Sequence, residues 1–169
     1  MYMTNVRKLT LAGVLIAMGV VSSTFYIPIG VAKCFPIQHV INVLAGIILG
    51  PFYAVGMAFS TSLIRNIMGT GSILAFPGSM IGALLCGLLY KYTKKDIMAF
   101  AGEVFGTGII GATLAYPIAT LFLSKEVALF AFVIPFGLSS LVGATISLVF
   151  IKALKKTKVL NKLNLEGKR

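Results

Sequence analysis

Three polar side chains with hydrogen-bonding nitrogens lie close together in an otherwise apolar stretch of the sequence. Gln38 and Asn42 are four residues apart and His39 and Asn42 are three apart, so a helix would place all three in one sector. Amide and imidazole groups can both donate and accept hydrogen bonds. The spacing therefore indicates either polar contacts between helices or a site for a small polar ligand.

A second polar group follows with the same spacing. Ser62 and Asn66 are four residues apart, and Arg65 directly precedes Asn66. An ionised side chain at the centre of a spanning helix costs about 2.5–3.5 kcal/mol, so its position is informative. Arg65 has two interpretations: its side chain extends to the lipid headgroups, or it orients a ligand.

The two polar groups are expected to meet in one layer, near the outer ends of their helices. The residues predicted to bind a ligand are Lys33, Phe35, Gln38, His39, Asn42, Arg65, Asn66, Phe76, Glu103 and Tyr116. The chain has no tryptophan, so stacking on a ligand would come from Phe35, Phe76 or Tyr116. No acidic residue is expected in the layer itself, which favours a small neutral heterocycle over a cation. The alternative is interhelical hydrogen bonding, worth about 0.6 kcal/mol per contact.

Glu103 is a further charged residue in an apolar segment, within the glycine-rich run 102–111. Its carboxylate either lies near a helix N-terminus, where the helix dipole favours it, or is a buried partner in an internal network or a ligand contact. Gly13 and Ala17, four residues apart, form a small-residue face that permits close approach of another helix. That partner helix belongs either to this chain or to another protein.

The composition indicates what kind of protein positions these side chains. Of the 169 residues, 58% are apolar and 11% are charged, and the mean hydropathy is +0.99. A soluble domain carries about a quarter charged residues. The high apolar and low charged content excludes disordered, fibrous and nucleic-acid-binding classes. The +11 net charge does not indicate nucleic-acid binding, because the basic residues lie at the ends of apolar runs. The sequence therefore predicts an all-α integral membrane protein.

Six spanning helices are predicted in a single membrane domain covering 1–169. Distances between charges, together with Gly and Pro breaks, place them at about 8–27, 37–50, 52–68, 79–93, 97–123 and 127–151, before a basic tail at 152–169. The second and third could alternatively form one broken span. The first is treated as a span rather than a signal peptide, because it has no small-residue cleavage site.

The distribution of basic residues predicts the orientation. With six spans, one side of the membrane receives Lys33, Arg65 and Lys125, and the side of the termini receives the other twelve of the fifteen basic residues. Basic residues concentrate on the cytoplasmic side of membrane proteins. Both termini are therefore expected in the cytoplasm of a multi-pass cell-membrane protein.

The sequence lacks the motifs of several kinds of catalysis. It contains no phosphate-binding P-loop, and a single histidine excludes a multi-histidine metal site. Cys34 and Cys86 do not form a disulfide framework. We expect no enzyme activity and no bound metal or cofactor.

Several segments together resemble the ThiW family. They are residues 33–43, 49–54, 62–66, 69–71, 75–79, 106–111 and 115–117. The resemblance runs from the first helix to the sixth and omits only the basic tail. It implies the six-helix fold of a substrate-binding S component of an energy-coupling-factor (ECF) vitamin transporter, with the ligand held near the outer face under the first extracellular loop.

The resemblance also implies a cargo and partners. The cargo is the thiazole precursor of thiamine, 4-methyl-5-(2-hydroxyethyl)thiazole, and the partners are a transmembrane coupling subunit and two ATPase subunits that use ATP. The family's Ala-x-x-x-Ala face toward the coupling subunit falls on Gly13 and Ala17, where the first position departs from alanine. The pyrimidine precursor, thiamine itself, a stand-alone secondary carrier and a ligand-free scaffold remain alternatives.

Overall fold

Six helices and one short hairpin carry the regular structure of the computed structural model, which describes residues 4–30, 32–124 and 126–157. The helices are α1 (Asn5–Val21), α2 (Pro36–Ile48), α3 (Pro51–Ile67), α4 (Ala75–Thr93), α5 (Asp96–Phe122) and α6 (Val133–Lys156). The prediction of six helices is confirmed. Lys125 and the tail from residue 158 onward, which enter the charge pattern above, lie outside the described residues.

The first helix ends earlier than predicted, at Val21 instead of residue 27, and continues only as a 3₁₀ turn over Ser22–Thr24. All three hydroxyl side chains of that turn donate to backbone carbonyls three residues back. Such local bonds compete with continued helix. The chain then forms an antiparallel hairpin of β1 (Ile27–Ile29) and β2 (Ala32–Cys34), with Ile27 opposite Cys34. The hairpin therefore occupies most of the interval between the first two predicted helices.

The hairpin is fastened to α6. The Cys34 thiol donates to the Pro135 carbonyl at 3.0 Å, and the Phe35 backbone N–H donates to the Ser139 hydroxyl at 3.0 Å. Burial raises the pKa of the Cys34 thiol, which keeps it in the protonated form that can donate. The hairpin therefore has a fixed position over the ends of α2 and α6.

A sharp break separates α2 from α3, as predicted. Gly50 has a φ of +92°, which glycine adopts readily, and Pro51 begins α3. With 13 residues, α2 is about 20 Å long, shorter than a full span. The hairpin and the N-terminus of α2 therefore lie close to the C-terminal end of α3.

The fifth helix is continuous over the predicted span, but Gly106–Gly111 is π-helical. A Cβ atom at Gly106 would lie 2.8 Å from Cα of Gly82, so α5 and α4 pack backbone to backbone here. A π segment accommodates an extra residue in the helix. The residues that follow it consequently face other directions than an uninterrupted α-helix would give.

The sixth helix was predicted at 127–151 and is found at Val133–Lys156. Before it, Ser124 has a φ of +49°, and Phe132 is fully buried in a cluster with Ala112, Ala115 and Ala119 of α5. Because this ring is buried against α5, the segment before Val133 packs on α5 and does not form the first turns of α6. At the other end, Lys155 forms an ion pair with Asp96 at 2.7 Å.

The helices pack mainly through small and aliphatic side chains. One buried cluster joins α1, α2 and α3 with Ala83 of α4, and a second joins α2 to α4, α5 and α6. Within the described residues, α1 with its 3₁₀ turn, α5 and α6 are long and apolar enough to cross a membrane. Helices α2 to α6 surround a polar interior beneath the hairpin.

Candidate functional site

A cavity of about 650 Å³ lies beneath the hairpin. Its wall is formed by the hairpin, the N-termini of α2 and α4, the C-terminus of α3, the middle of α5 and the start of α6. The residues that line it include Tyr26, Lys33, Phe35, Gln38, His39, Arg65, Asn66, Ser72, Ser79, Thr107, Phe136 and Ser139. Small-molecule sites are clefts of about 300–1,000 Å³, so this cavity has the size of a ligand site.

Six of the ten residues predicted to bind a ligand line the cavity: Lys33, Phe35, Gln38, His39, Arg65 and Asn66. Asn42 and Glu103 lie directly behind the wall and are hydrogen bonded to it. The other two do not belong to this cavity. Phe76 packs against Phe59, with ring centroids 5.6 Å apart, and Tyr116 lines a separate cleft with Thr120 and Glu126.

The position of Tyr116 outside the cavity has a physical cause in α5. Tyr116 follows the π segment, which changes the direction in which later side chains face. For Phe76, the first turn of α4 places the ring on the α3 side. Of the three rings proposed as alternatives for stacking, Phe35 lines the cavity and Phe76 and Tyr116 do not. Phe136 and Tyr26, which the sequence patterns did not single out, line the cavity in their place.

A buried chain of hydrogen bonds connects Arg65 with Glu103. Arg65 Nη1 donates to Gln38 Oε1 at 3.2 Å, and Gln38 Nε2 donates to Asn42 Oδ1 at 3.2 Å. Asn42 Nδ2 donates onward to Glu103 Oε1 at 3.0 Å and to the Ser79 carbonyl. A guanidinium can only donate and a carboxylate can only accept, so the two ends fix the orientation of both amides.

Glu103 is fully buried, which decides between its two interpretations in favour of an internal network. His39 Nδ1 lies 2.8 Å from Glu103 Oε1. Thr107, four residues beyond Glu103, is placed to donate to the same oxygen or to the Gly78 carbonyl. The expectation of a polar layer without an acid is wrong, because the packing of α2 on α5 brings this carboxylate to the depth of His39 and Asn42.

Arg65 does not extend to the membrane surface. Its side chain is 1% exposed, and its guanidinium carbon lies 3.8 Å from the centroid of the Phe35 ring. Tyr26 packs against Phe35 with centroids 6.0 Å apart, and Lys33 Nζ lies 4.4 Å above the Tyr26 ring. The two rings thus lie between the two cations, and Phe35 is the ring in direct contact with Arg65.

Four serine and threonine residues that the sequence patterns did not single out line the wall: Ser72, Ser79, Thr107 and Ser139. Ser79 shares a hydrogen bond with Ser62 at 3.1 Å and therefore connects α4 to α3. Thr107 lies four residues after Glu103, a spacing that would have placed it on the same face. Ser139 carried no comparable local signal.

The small-residue face on α1 lies away from the cavity. Gly13 and Ala17 are both exposed, and a Cβ atom at Gly13 would meet nothing within 4 Å. Of the two partners considered for this face, a helix of the same chain does not cover it in the described structure. The face is open to lipid or to another protein.

Comparison with known proteins gives one finding that bears on function. The sequence model of the family described as thiamine-precursor transporter protein (ThiW) matches residues 9–157. This range includes all six helices except the first turn of α1. No curated protein and no solved structure matches the chain.

Proposed function

Because the chain belongs to the ThiW family of thiamine-precursor transporter proteins, we propose that its cavity captures 4-methyl-5-(2-hydroxyethyl)thiazole for uptake. The family is one of transporters rather than enzymes, and the apolar helices place the protein in a membrane. The observation that carries the proposal is the cavity itself: polar groups connected to a buried hydrogen-bonded chain, with aromatic rings above them.

The chemistry of the wall fits that thiazole. Its ring offers a flat apolar face, for which Tyr26, Phe35 and Phe136 provide aromatic partners. Its nitrogen and hydroxyl need hydrogen-bonding groups. With Nδ1 committed to Glu103, His39 has its Nε2 left for a ligand, and a carboxylate that accepts from Nδ1–H makes Nε2 an acceptor.

The proposal includes an S-component role. The chain would bind the substrate and rely on a transmembrane coupling subunit and two ATPase subunits for energy. The absence of a P-loop from the sequence supports the need for separate ATPases, and the exposed Gly13 and Ala17 on α1 supply a face for close helix contact. The charge pattern supports cytoplasmic termini and an outward-facing hairpin.

Thiamine is a second candidate cargo, favoured by the size of the cavity. A benzene-sized molecule occupies a cavity of about 150 Å³, so about 650 Å³ has room for more than one ring. Thiamine also carries a positive charge. None of the described residues that line the cavity is acidic, whereas Lys33 and Arg65 are basic, and this favours the uncharged thiazole.

Calorimetric titration of the purified chain tests the proposal. We expect hydroxyethylthiazole to bind more tightly than the pyrimidine precursor or thiamine. His39→Ala removes a ligand partner and should weaken thiazole binding roughly five- to 150-fold, since an unpaired buried polar group costs about 1–3 kcal/mol. Equal thiazole affinity in the parent and in His39→Ala would contradict the site. Tighter binding of thiamine than of the thiazole would identify thiamine as the cargo.

Reconstitution separates the S-component role from a stand-alone carrier. In vesicles that contain this chain alone, the proposal expects thiazole binding without accumulation. Uptake should appear only when the coupling subunit, the ATPase subunits and ATP are present. Accumulation by the chain alone would instead identify a secondary carrier.

A further inference from the structure

Resting on the proposed function, we infer that Arg65 presents two hydrogen-bond donors to an oxyanion, so that the cavity binds thiazoles with an anionic side arm more tightly than the neutral alcohol. The anionic group is a phosphate ester or a carboxylate. The site would then discriminate among thiazoles by the charge and shape of the side arm rather than by the ring alone.

The first observation is that Arg65 has donors without partners. Nη1 donates to Gln38, whereas Nε and Nη2 are buried and have no hydrogen-bond partner. Buried polar groups in proteins are almost always satisfied, and an unmet charged donor is especially unfavourable. Arg65 also forms part of the cavity wall. A ligand in the cavity is therefore the natural source of the missing acceptors.

The second observation is the position of these donors on the guanidinium group. Nε and Nη2 lie on the same edge, so their N–H groups are nearly parallel. This edge matches two oxygens of a carboxylate or a phosphate and gives a bidentate pair. A hydroxyl group offers a single oxygen and cannot occupy both positions equally well. The geometry thus favours an oxyanion over the alcohol.

The third observation is the charge around the cavity. Within the described part of the chain, the buried Glu103 carboxylate is hydrogen bonded to His39 and the Asp96 carboxylate is paired with Lys155, and neither contact includes Arg65. Arg65 reaches Glu103 only through Gln38 and Asn42. Lys33 adds a second positive charge at the cavity, and no described lining residue is acidic. An anion would give Arg65 the direct partner that it lacks.

The cavity also has space for the larger group. Its volume of about 650 Å³ is roughly four times the cavity of about 150 Å³ that holds a benzene-sized ring. A thiazole ring therefore leaves room for a phosphate or carboxylate on its side arm. The Phe35 ring lies over the guanidinium group, with its centroid 3.8 Å from the guanidinium carbon of Arg65.

The experiment compares three probes by calorimetry at constant ionic strength. They are hydroxyethylthiazole, its phosphate monoester and the acid 4-methyl-5-(carboxymethyl)thiazole. For the parent chain we expect at least one anion to bind roughly ten- to 100-fold more tightly than the alcohol, because hydrogen bonds to charged groups are stronger than neutral ones. The anion that binds more tightly identifies which oxyanion the site accepts.

Three variants separate the two-donor edge from a general positive potential. Arg65→Gln should abolish the preference for the anion, and Arg65→Lys should lose most of it, since a lysine keeps the charge without two parallel donors. Lys91→Gln, which removes an exposed positive charge near the end of α4 that does not line the cavity, should keep the preference. Size-exclusion profiles and thermal unfolding confirm that each variant is folded, and the comparison of the three probes on the parent remains decisive if an Arg65 variant does not fold.

Two results would overturn the inference while leaving the proposed function intact. The first is an alcohol that binds the parent as tightly as both anions, the result expected if only water occupies the Arg65 edge. The second is an anion preference that persists in Arg65→Gln or disappears in Lys91→Gln. If none of the three thiazoles binds the folded parent, the proposed function itself fails.

Discussion

At the scale of single residues, Glu103 is the carboxylate to which the buried polar side chains are hydrogen bonded. Its Oε1 atom is within hydrogen-bonding distance of His39, Asn42 and Thr107, and the chain of bonds ends at Arg65 on the other side of the cavity. A carboxylate at this position balances the buried guanidinium without touching it. The residue therefore both orients His39 and compensates the charge of Arg65.

Removing this carboxylate should destabilise the protein. Glu103→Ala leaves the donors of His39 and Asn42 unpaired, and each unpaired buried polar group costs about 1–3 kcal/mol. We expect a markedly lower thermal unfolding midpoint in detergent. Glu126→Ala, at an exposed carboxylate, is the control and should leave the midpoint unchanged. Equal midpoints for both variants would contradict the buried network.

The residue scale also shows what sequence could and could not predict. Helical spacing correctly grouped Gln38, His39 and Asn42, because three- and four-residue separations place side chains on one sector. It could not pair His39 with Glu103, since 64 residues separate them and only the packing of α2 on α5 brings them together. For Phe76 and Tyr116, residue type alone suggested a stacking role, while the direction of each side chain depends on the path of its helix.

At the scale of elements, the close contact of α4 with α5 forms the base of the site. Gly82 of α4 faces α5, and a Cβ atom at this glycine would be 3.0 Å from Glu103 Oε2. Gly106 meets the backbone of α4 one turn further along α5. The glycine-rich run 102–111 permits this close approach, whereas no pattern in the sequence indicates that Gly106–Gly111 is π-helical.

A pair of glycine substitutions tests this packing. A methyl group at Gly106 would lie 2.8 Å from Gly82 Cα, so Gly106→Ala should force the two helices apart and lower the unfolding midpoint. Gly137→Ala on α6 meets nothing within 4 Å and should be neutral or stabilising, because alanine favours helix by about 0.5–1 kcal/mol over glycine. If Gly106→Ala were as stable as Gly137→Ala, the backbone contact between α4 and α5 would be wrong.

The ends of the elements were less predictable than their number. Composition and charge spacing were enough to count six helices, because charges and Gly or Pro breaks separate the apolar runs that form them. The hairpin and the late start of α6 depend on contacts with other elements. They include the bonds of Cys34 and Phe35 to α6 and the burial of Phe132 against α5. Such long-range contacts leave no periodic pattern in the sequence.

At the scale of the whole molecule, the cavity and the exposed face of α1 serve different steps of the proposed transport cycle. The cavity is formed by α2 to α6 and the hairpin, whereas Gly13 and Ala17 lie outside it on α1. Substrate binding and assembly with a coupling subunit should therefore be separable by mutation.

Ala17→Trp is expected to separate them. A large side chain on the exposed small-residue face should block close helix contact and abolish co-purification with the coupling subunit. Thiazole affinity measured by calorimetry should stay within about twofold of the parent, because surface substitutions usually change stability by less than about 0.5 kcal/mol. Loss of thiazole binding together with assembly would mean that Ala17 packs inside the chain.

The most direct test of thiazole binding beneath the hairpin uses the absence of tryptophan from the sequence. Tyr26→Trp places a single fluorescent reporter at the cavity wall, and Tyr92→Trp places one at an exposed position near the end of α4 that does not line the cavity. Titration with hydroxyethylthiazole should change the fluorescence of the first variant saturably, at the affinity given by calorimetry, and leave the second unchanged. Calorimetric binding without any response at position 26, or equal responses at both positions, would contradict a site beneath the hairpin.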